Sequence, residues 1–245
     1  MTSLKTAVIR TVAPKKGTYF LFRRNIAGLC VFKRLILSLQ RAGIENFIIL
    51  AQDISSADKY WMELDIQNDF RFKSNIQWNN LSKEIFKDEL ISIGLPLGSS
   101  NVLFVESDLV TTTGLIKNFI TATLELQTGE IAGLVSEFGH SDGMYVLPTS
   151  SISHYLHFKT FEKPVVPIIL SGPWFYRQRV KDLQSAQSVE KNLLNEHKLH
   201  YRQAMDIWVN SLFAAKISSL LAKTPITPNQ ITLFGMVIGM VSGIL

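Results

Sequence analysis

The chain is poor in the residues that staple small folds or build metal centres. It has a single cysteine, Cys30, which excludes an internal disulfide and a cysteine zinc site. Its five histidines fall at loose spacings such as His154-x-x-His157, with no third ligand in view, so a zinc site is not expected. Charge is sparse: 18% of residues are charged and the net charge is +5. So modest an excess suits a phosphate-rich ligand or an anionic membrane surface. There is no basic run interleaved with aromatics and no nucleic-acid motif, so nucleic acid is not an expected partner. Residues 1–16 lack an apolar core and a small-residue cleavage site, so no secretory leader is read there and the body of the protein is expected to be cytoplasmic. No internal repeat or low-complexity tract occurs.

Apolar residues are plentiful, at 47% of 245 residues, and the length is enough for one large domain or one domain plus an appendage. The central stretch is Asn101-Val-Leu-Phe-Val-Glu-Ser-Asp108. Residues 102–106 are rich in β-branched and aromatic types and follow Gly98-Ser99-Ser100, which predicts a buried strand. A helix over 115–126, capped by Thr111-Thr112-Thr113, is expected next. Ligands of open α/β sheets bind at the carboxyl ends of strands. Asp108 is therefore a candidate metal or substrate ligand; it reads equally well as a loop or helix cap.

Before it, residues 6–10 predict a first strand. The loop 11–20 holds Pro14-Lys15-Lys16-Gly17-Thr18. One reading is a phosphate cradle, in which Gly17 lets the backbone approach and Lys15 and Lys16 neutralise charge. The other is a solvated turn. Ala27-Gly28 opens a helix over 29–41, with Cys30 in its core and Val31, Leu35, Ile36 and Leu39 as its apolar face. It ends at Ala42-Gly43. Residues 46–51 are continuously apolar, as in a strand covered on both faces. A β-loop-α-β opening is that of a parallel sheet with right-handed crossovers. Helices are further expected over 55–64, 81–93, 150–158 and 182–199, and strands over 72–78, 130–135 and 143–147. Residues 161–170 read as extended, 172–176 as a compact aromatic loop, and Asp142-Gly143 as a turn. The expected class is three-layer α/β with a mostly parallel sheet.

The character changes near Lys181. Met205, Trp208, Val209, Leu212, Phe213, Ile217, Leu220 and Leu221 follow steps of three and four, forming an apolar stripe with Asp206, Asn210, Ser218 and Lys223 outside it. Such a helix packs on a core or lies in a membrane interface. Residues 231–245 carry no charge, and Gly235, Gly239 and Gly243 recur at the spacing that lets membrane helices approach closely. A helix of that length covers roughly 22 Å of a ~30 Å hydrocarbon core. It reads as the start of a membrane span, or else as a buried C-terminal helix. The expected organisation is an α/β domain over 1–200, a juxtamembrane helix and linker over 201–230, and the start of a span over 231–245.

Residues 1 to about 200 resemble the nucleotidyltransferase superfamily of sugar-nucleotide pyrophosphorylases and MobA-like enzymes. The resemblance rests on the opening strand and loop, Gly28-x-x-x-x-x-Arg34, Gln40-Arg41-Ala42-Gly43-Ile44, the strand Ile48-Ile49-Leu50 and the strand ending in Asp108. Phe161-Glu162-Lys163-Pro164 is similar to the family's Glu-Lys-Pro segment. Residues 210–242, with Lys216-Ile217-Ser218 and Lys223-Thr-Pro-Ile-Thr-Pro-Asn-Gln-Ile-Thr232, resemble the opening of a CDP-alcohol phosphatidyltransferase. The two together are similar to bifunctional inositol-1-phosphate cytidylyltransferase/CDP-alcohol phosphatidyltransferase proteins. The resemblance implies CTP or another NTP and an alcohol phosphate, such as inositol phosphate, as substrates. It implies Mg²⁺ as cofactor, held by Asp108, with Lys15, Lys16 and the Gly17 backbone on the departing pyrophosphate and Lys163 on the acceptor phosphate. It also implies work in phospholipid synthesis at the cytoplasmic face of a membrane, reached through the C-terminal helix.

Departures from the pattern are specific. The family's Gly-x-Gly-x-x-Arg loop is replaced by Pro14-Lys-Lys-Gly-Thr18, with Arg23 and Arg24 further on. The second metal aspartate has no clear counterpart, Asp182 being the nearest. The Asp-Gly-x-x-Ala-Arg motif of phosphatidyltransferases does not occur before Leu245, so that reaction is not expected of this chain alone. Such departures leave open a membrane-tethered domain that binds without catalysing, or a split phosphatidyltransferase that needs a partner chain.

Overall fold

The structure is a computed structural model. It describes residues 4–12, 25–52, 54–81, 101–124, 129–137, 140–158, 160–161, 163–172, 175–196, 227, 229–230, 232–233 and 235–236. The chain divides into two compact units, Met1–Arg24 with Cys30–Ala186, and Asn25–Leu29 with Gln187–Leu245. Numbered along the chain, the strands are β1 (Thr6–Val12), β2 (Asn25–Ile26), β3 (Leu29–Cys30), β4 (Asn46–Gln52), β5 (Asn75–Leu81), β6 (Asn101–Glu106), β7 (Leu109–Thr111), β8 (Ile131–Val135), β9 (Ser141–Pro148), β10 (Val165–Ile168) and β11 (Arg177–Arg179). The described helices are α1 (Val31–Arg41), α2 (Ser56–Gln67), α3 (Thr113–Thr123), α4 (Thr149–Phe158) and α5 (Leu183–Glu196).

The first unit is organised by a seven-stranded sheet in the order β10-β8-β9-β6-β1-β4-β5. β1 runs parallel to β4 and β6, β4 to β5, and β8 to β10. β9 is antiparallel to both β6 and β8, so it alone opposes the other strands. The β-branched runs of β1, β4 and β6 become strands because both of their faces are covered. Ala7, Ile9, Leu103 and Val105 pack with Leu35, Ile36 and Leu39 of α1 and with Leu115, Ile116 and Phe119 of α3. The alternate residues Val8, Leu50, Val102 and Phe104 pack on the other face with Ile152, Tyr155 and Leu156 of α4. A period of two thus sends successive residues into opposite cores. Phe104 is fully buried, and burial of such a side chain contributes about 1.5–3 kcal/mol.

Local signals set the helix ends. α1 ends with Gly43 at φ +107, a left-handed position that favours glycine. The Gly43 N–H donates to the Gln40 carbonyl and the Ile44 N–H to the Leu39 carbonyl, as in a Schellman cap. Ser55 caps α2 by accepting from the Asp58 N–H, and Thr112 caps α3 by accepting from the Leu115 N–H. Ala27 and Gly28 do not open α1; they form the turn of the β2–β3 ribbon, both at positive φ (46° and 82°), as a tight hairpin turn of the mirror-image type requires. Cys30 accordingly caps α1 rather than lying inside it. Pro167 sits in β10, an edge strand, where a missing N–H costs no ladder bond.

In the second unit, Thr227 and Gln230 bond reciprocally. The Thr227 N–H donates to Gln230 Oε1 at 2.8 Å and the Gln230 N–H to Thr227 Oγ1 at 3.4 Å, the pattern of a helix-opening capping box. No described helix is long and apolar enough to cross a membrane. The apolar stripe from Met205 to Leu221, the expected helix over 81–93 beyond Leu81 (which ends β5) and most of 231–245 lie outside the described residues.

Candidate active site at the end of the central strand

After Asn101, β6 is apolar until its last residue. Glu106 lies across the sheet from Arg10 of β1, and both side chains are nearly buried. The Ser107 N–H donates to the Arg10 carbonyl, so the chain turns as the sheet ends. After Asp108 it enters β7, which pairs antiparallel with β11 in the register Arg179↔Leu109. The Val180 N–H donates to the Asp108 carbonyl at 2.8 Å. That two-stranded pairing carries Arg179 to the carboxyl end of β6.

Four charges then alternate along the edge, Arg10, Glu106, Arg179 and Asp108. Arg179 Nε donates to Asp108 Oδ1 at 3.1 Å and to Oδ2 at 3.0 Å, and its Nη2 lies 2.8 Å from Oδ2. The same Nη2 donates to Glu106 Oε2 at 2.6 Å. Glu106 Oε1 accepts from the Tyr155 hydroxyl at 3.0 Å and from Arg10 Nη1 at 3.4 Å. Beside this row, Arg177 Nε pairs with Asp142 Oδ2 at 2.5 Å. Arg177 also donates to the Leu170 and Val135 carbonyls, tying three segments together. Gly143, at φ +78, leaves room for the row: a side chain there would meet Glu106 at 3.3 Å and Arg179 Nη1 at 3.5 Å. Asp142-Gly143, expected as a turn, is the start of β9.

Burial dominates the titration of the site. It pushes the Asp108 carboxyl above its ordinary value, with the Arg179 charge opposing. It works against the Arg179 guanidinium too, but the Asp108 and Glu106 charges outweigh it and hold that group more firmly protonated. Burial, reinforced by Glu106, pushes the Tyr155 phenol upward, so Tyr155 is a standing donor.

Of the residues expected from the sequence, Asp108 is where it was placed, at the carboxyl end of the central strand. Lys15, Lys16 and Gly17 lie outside the described residues. Lys163 is exposed and donates to the Gly129 carbonyl at 3.0 Å. The registers Val165↔Ile131, Ala132↔Val146 and Val146↔Leu103 put it at the amino end of the sheet. At ~3.3 Å per residue, that is roughly 20 Å from the Asp108 end. The structure does not bring Lys163 to Asp108. Asp182 is exposed and accepts from the Ser185 N–H at 2.7 Å, which occupies it as a cap for α5. Arg10, Tyr155 and Arg179 carried no signal as site residues. Arg10 was legible only as the end of a strand, and Arg179 is reached through a three-residue strand too short to show a pattern.

Two carboxylates at a strand end are suitable oxygen ligands for a divalent ion. Here both oxygens of each already accept a hydrogen bond from the protein, and one guanidinium spans the pair. Among the described residues there is no cluster of three or more His, Cys, Asp or Glu that would hold a metal. As arranged, the site does not fit the Mg²⁺ expected at Asp108, because Arg179 sits between the ligands.

No protein-family model matches the sequence, and no curated protein matches it significantly. Solved structures do share the fold. HddC from Yersinia pseudotuberculosis superposes with a TM-score of 0.56 at 13% identity, covering 78% of this chain and 100% of its own. A putative glucose-1-phosphate thymidylyltransferase from Bacillus anthracis, crystallised with sucrose, gives 0.55 at 10% identity, covering 77% and 94%. The inositol-1-phosphate CTP transferase from T. maritima gives 0.54 at 10% identity, covering 78% and 97%. The chain therefore carries a fold found in nucleotidyltransferases, cytidylyltransferases among them.

Proposed function

We propose that the domain is a nucleotidyltransferase that moves an NMP group from CTP or another NTP to an alcohol phosphate such as inositol phosphate. The observation that carries the reading is the charged row Arg10–Glu106–Arg179–Asp108 at the carboxyl end of β6. In sheets of this kind ligands collect at that rim. An oxygen of the alcohol phosphate attacks the α-phosphorus, the bond from that phosphorus to the β-phosphate oxygen breaks, and pyrophosphate leaves. The attacking oxygen is already anionic, so no general base is needed. The work is positioning and charge neutralisation. Arg179 is the fixed cation at the rim, oriented by Glu106 and Asp108, and Lys15 and Lys16 meet the leaving pyrophosphate. The test is pyrophosphate release from CTP with inositol phosphate, in wild type and Asp108→Asn. Activity equal in the two would remove Asp108 from the reaction; release from neither, with other NTPs and alcohol phosphates also silent, would remove the transferase reading.

The second reading is a nucleotide-binding module without catalysis. The closed Asp108–Arg179 pair favours it, since both oxygens of that carboxylate are already engaged by a fixed cation. CTP that raises the melting temperature without pyrophosphate release would support it.

The C-terminal segment is proposed to hold the domain at the cytoplasmic face of a membrane, in the service of phospholipid synthesis. Support comes from the apolar stripe of 205–221 and the charge-free 231–245. Flotation with anionic vesicles should retain the full chain and lose a 1–200 fragment; equal flotation would reject the tether.

A further inference from the structure

We propose that Arg179 is a built-in cation that holds the place of a divalent metal between Glu106 and Asp108. The inference does not rest on the transferase reading, because it concerns the resting protein without substrate. Three observations carry it. Arg179 Nη2 is shared by both carboxylates, at 2.6 Å from Glu106 Oε2 and 2.8 Å from Asp108 Oδ2, so a single positive centre bridges them. The bond to Asp108 also uses Nε, giving the two-pronged geometry that a planar guanidinium makes and an ammonium cannot. Finally, the row is already neutral: Arg10 and Arg179 balance Glu106 and Asp108, and all four side chains are at most 27% exposed. A divalent ion added to that row would bring uncompensated charge into a largely buried place, which is strongly unfavourable.

Arg179 arrives from β11, 71 residues after Asp108. The β7–β11 pairing fixes its register, so its position follows from backbone hydrogen bonds and not from a chance side-chain contact. Removing the guanidinium should uncover a pair of carboxylates with the oxygen chemistry of a Mn²⁺ or Mg²⁺ site.

The experiment is Mn²⁺ titration of the full chain without nucleotide, read by loss of the free-ion EPR signal. Wild type should show no Mn²⁺ site that depends on Asp108. Arg179→Ala should gain one, with affinity raised on the order of a hundredfold or more once a unit charge near the ligands is gone. Arg179→Ala/Asp108→Asn should lose it again. Arg179→Lys, which keeps the charge, should stay closer to wild type than Arg179→Ala. Wild-type binding that disappears in Asp108→Asn would overturn the proposal, and that arm holds even where Arg179→Ala does not fold. A folded Arg179→Ala that takes no Mn²⁺ would overturn it as well.

Discussion

Loss of Glu106 should cost this fold far more than an ordinary surface substitution. Its carboxylate meets Arg179 at 2.6 Å, the Tyr155 hydroxyl at 3.0 Å and Arg10 at 3.4 Å. Glu106→Ala removes the carboxylate that Arg10 meets at 3.4 Å, and the Arg10 side chain is only 7% exposed. Breaking a buried ion pair by removing one member costs about 3–5 kcal/mol, far more than the pair itself contributes. Arg179 keeps Asp108, so the loss falls mainly on Arg10 and on the Tyr155 hydroxyl, each of which gives up a buried carboxylate acceptor. For a chain of this length, the expected fall in Tm is roughly 6–20 °C. Glu106→Gln keeps an acceptor for Tyr155 and should lose distinctly less. Urea denaturation followed by near-ultraviolet circular dichroism measures all three proteins, and equal slopes would confine the difference to stability. If Glu106→Ala lies within about 0.5 kcal/mol of wild type, the range of ordinary surface substitutions, the reasoning about this buried row is wrong.

Two further outcomes follow from packing and charge elsewhere. A Cβ at Gly133 would stand 2.7 Å from Val165 Cγ1 and 3.2 Å from the Tyr145 ring. Gly133→Ala should destabilise by about 1–3 kcal/mol, with part recovered in Gly133→Ala/Val165→Ala; additive losses in the double variant would refute the clash. Asp69 bonds Arg71 at 2.6 Å and Lys33 at 3.0 Å. The Arg71 hydrogen bond, despite opposing burial, holds its carboxyl well below the ordinary range. A depressed carboxyl contributes stability above its unfolded value and loses it as pH falls toward the native one. The stability gap between wild type and Asp69→Asn should therefore be widest near neutrality and shrink below about pH 4. A gap unchanged between pH 6 and pH 3 would contradict the assignment.

Much of the scaffold was legible because its signals are local. Val102–Val105 could bury both faces only as a central strand, and Gly43 could end α1 because its left-handed backbone suits glycine. Ser55 and Thr112 announced helix starts through a side-chain oxygen three residues ahead of an N–H that the helix leaves unpaired. The signal failed where three-dimensional pairing decided the outcome. Leu29–Cys30 looked like the first turn of a helix, but the Ala27-Gly28 turn makes it half of a ribbon. Gly143 looked like a turn residue and proved to be the gap in β9 that admits Glu106 and Arg179.

The same division runs through the site. Sequence alone determined that an acidic residue would stand at the end of the central strand, since a β-branched and aromatic run closed by Glu-Ser-Asp places its carboxylates where the apolar run stops. It could not determine what that residue faces. Arg179 meets Asp108 because β11 pairs with β7, and Lys163 stands away from it because β10 begins at the opposite end of the sheet. Contacts between residues so distant in the chain are set by strand order and register, which are properties of the assembled sheet and leave no mark on the neighbouring residues.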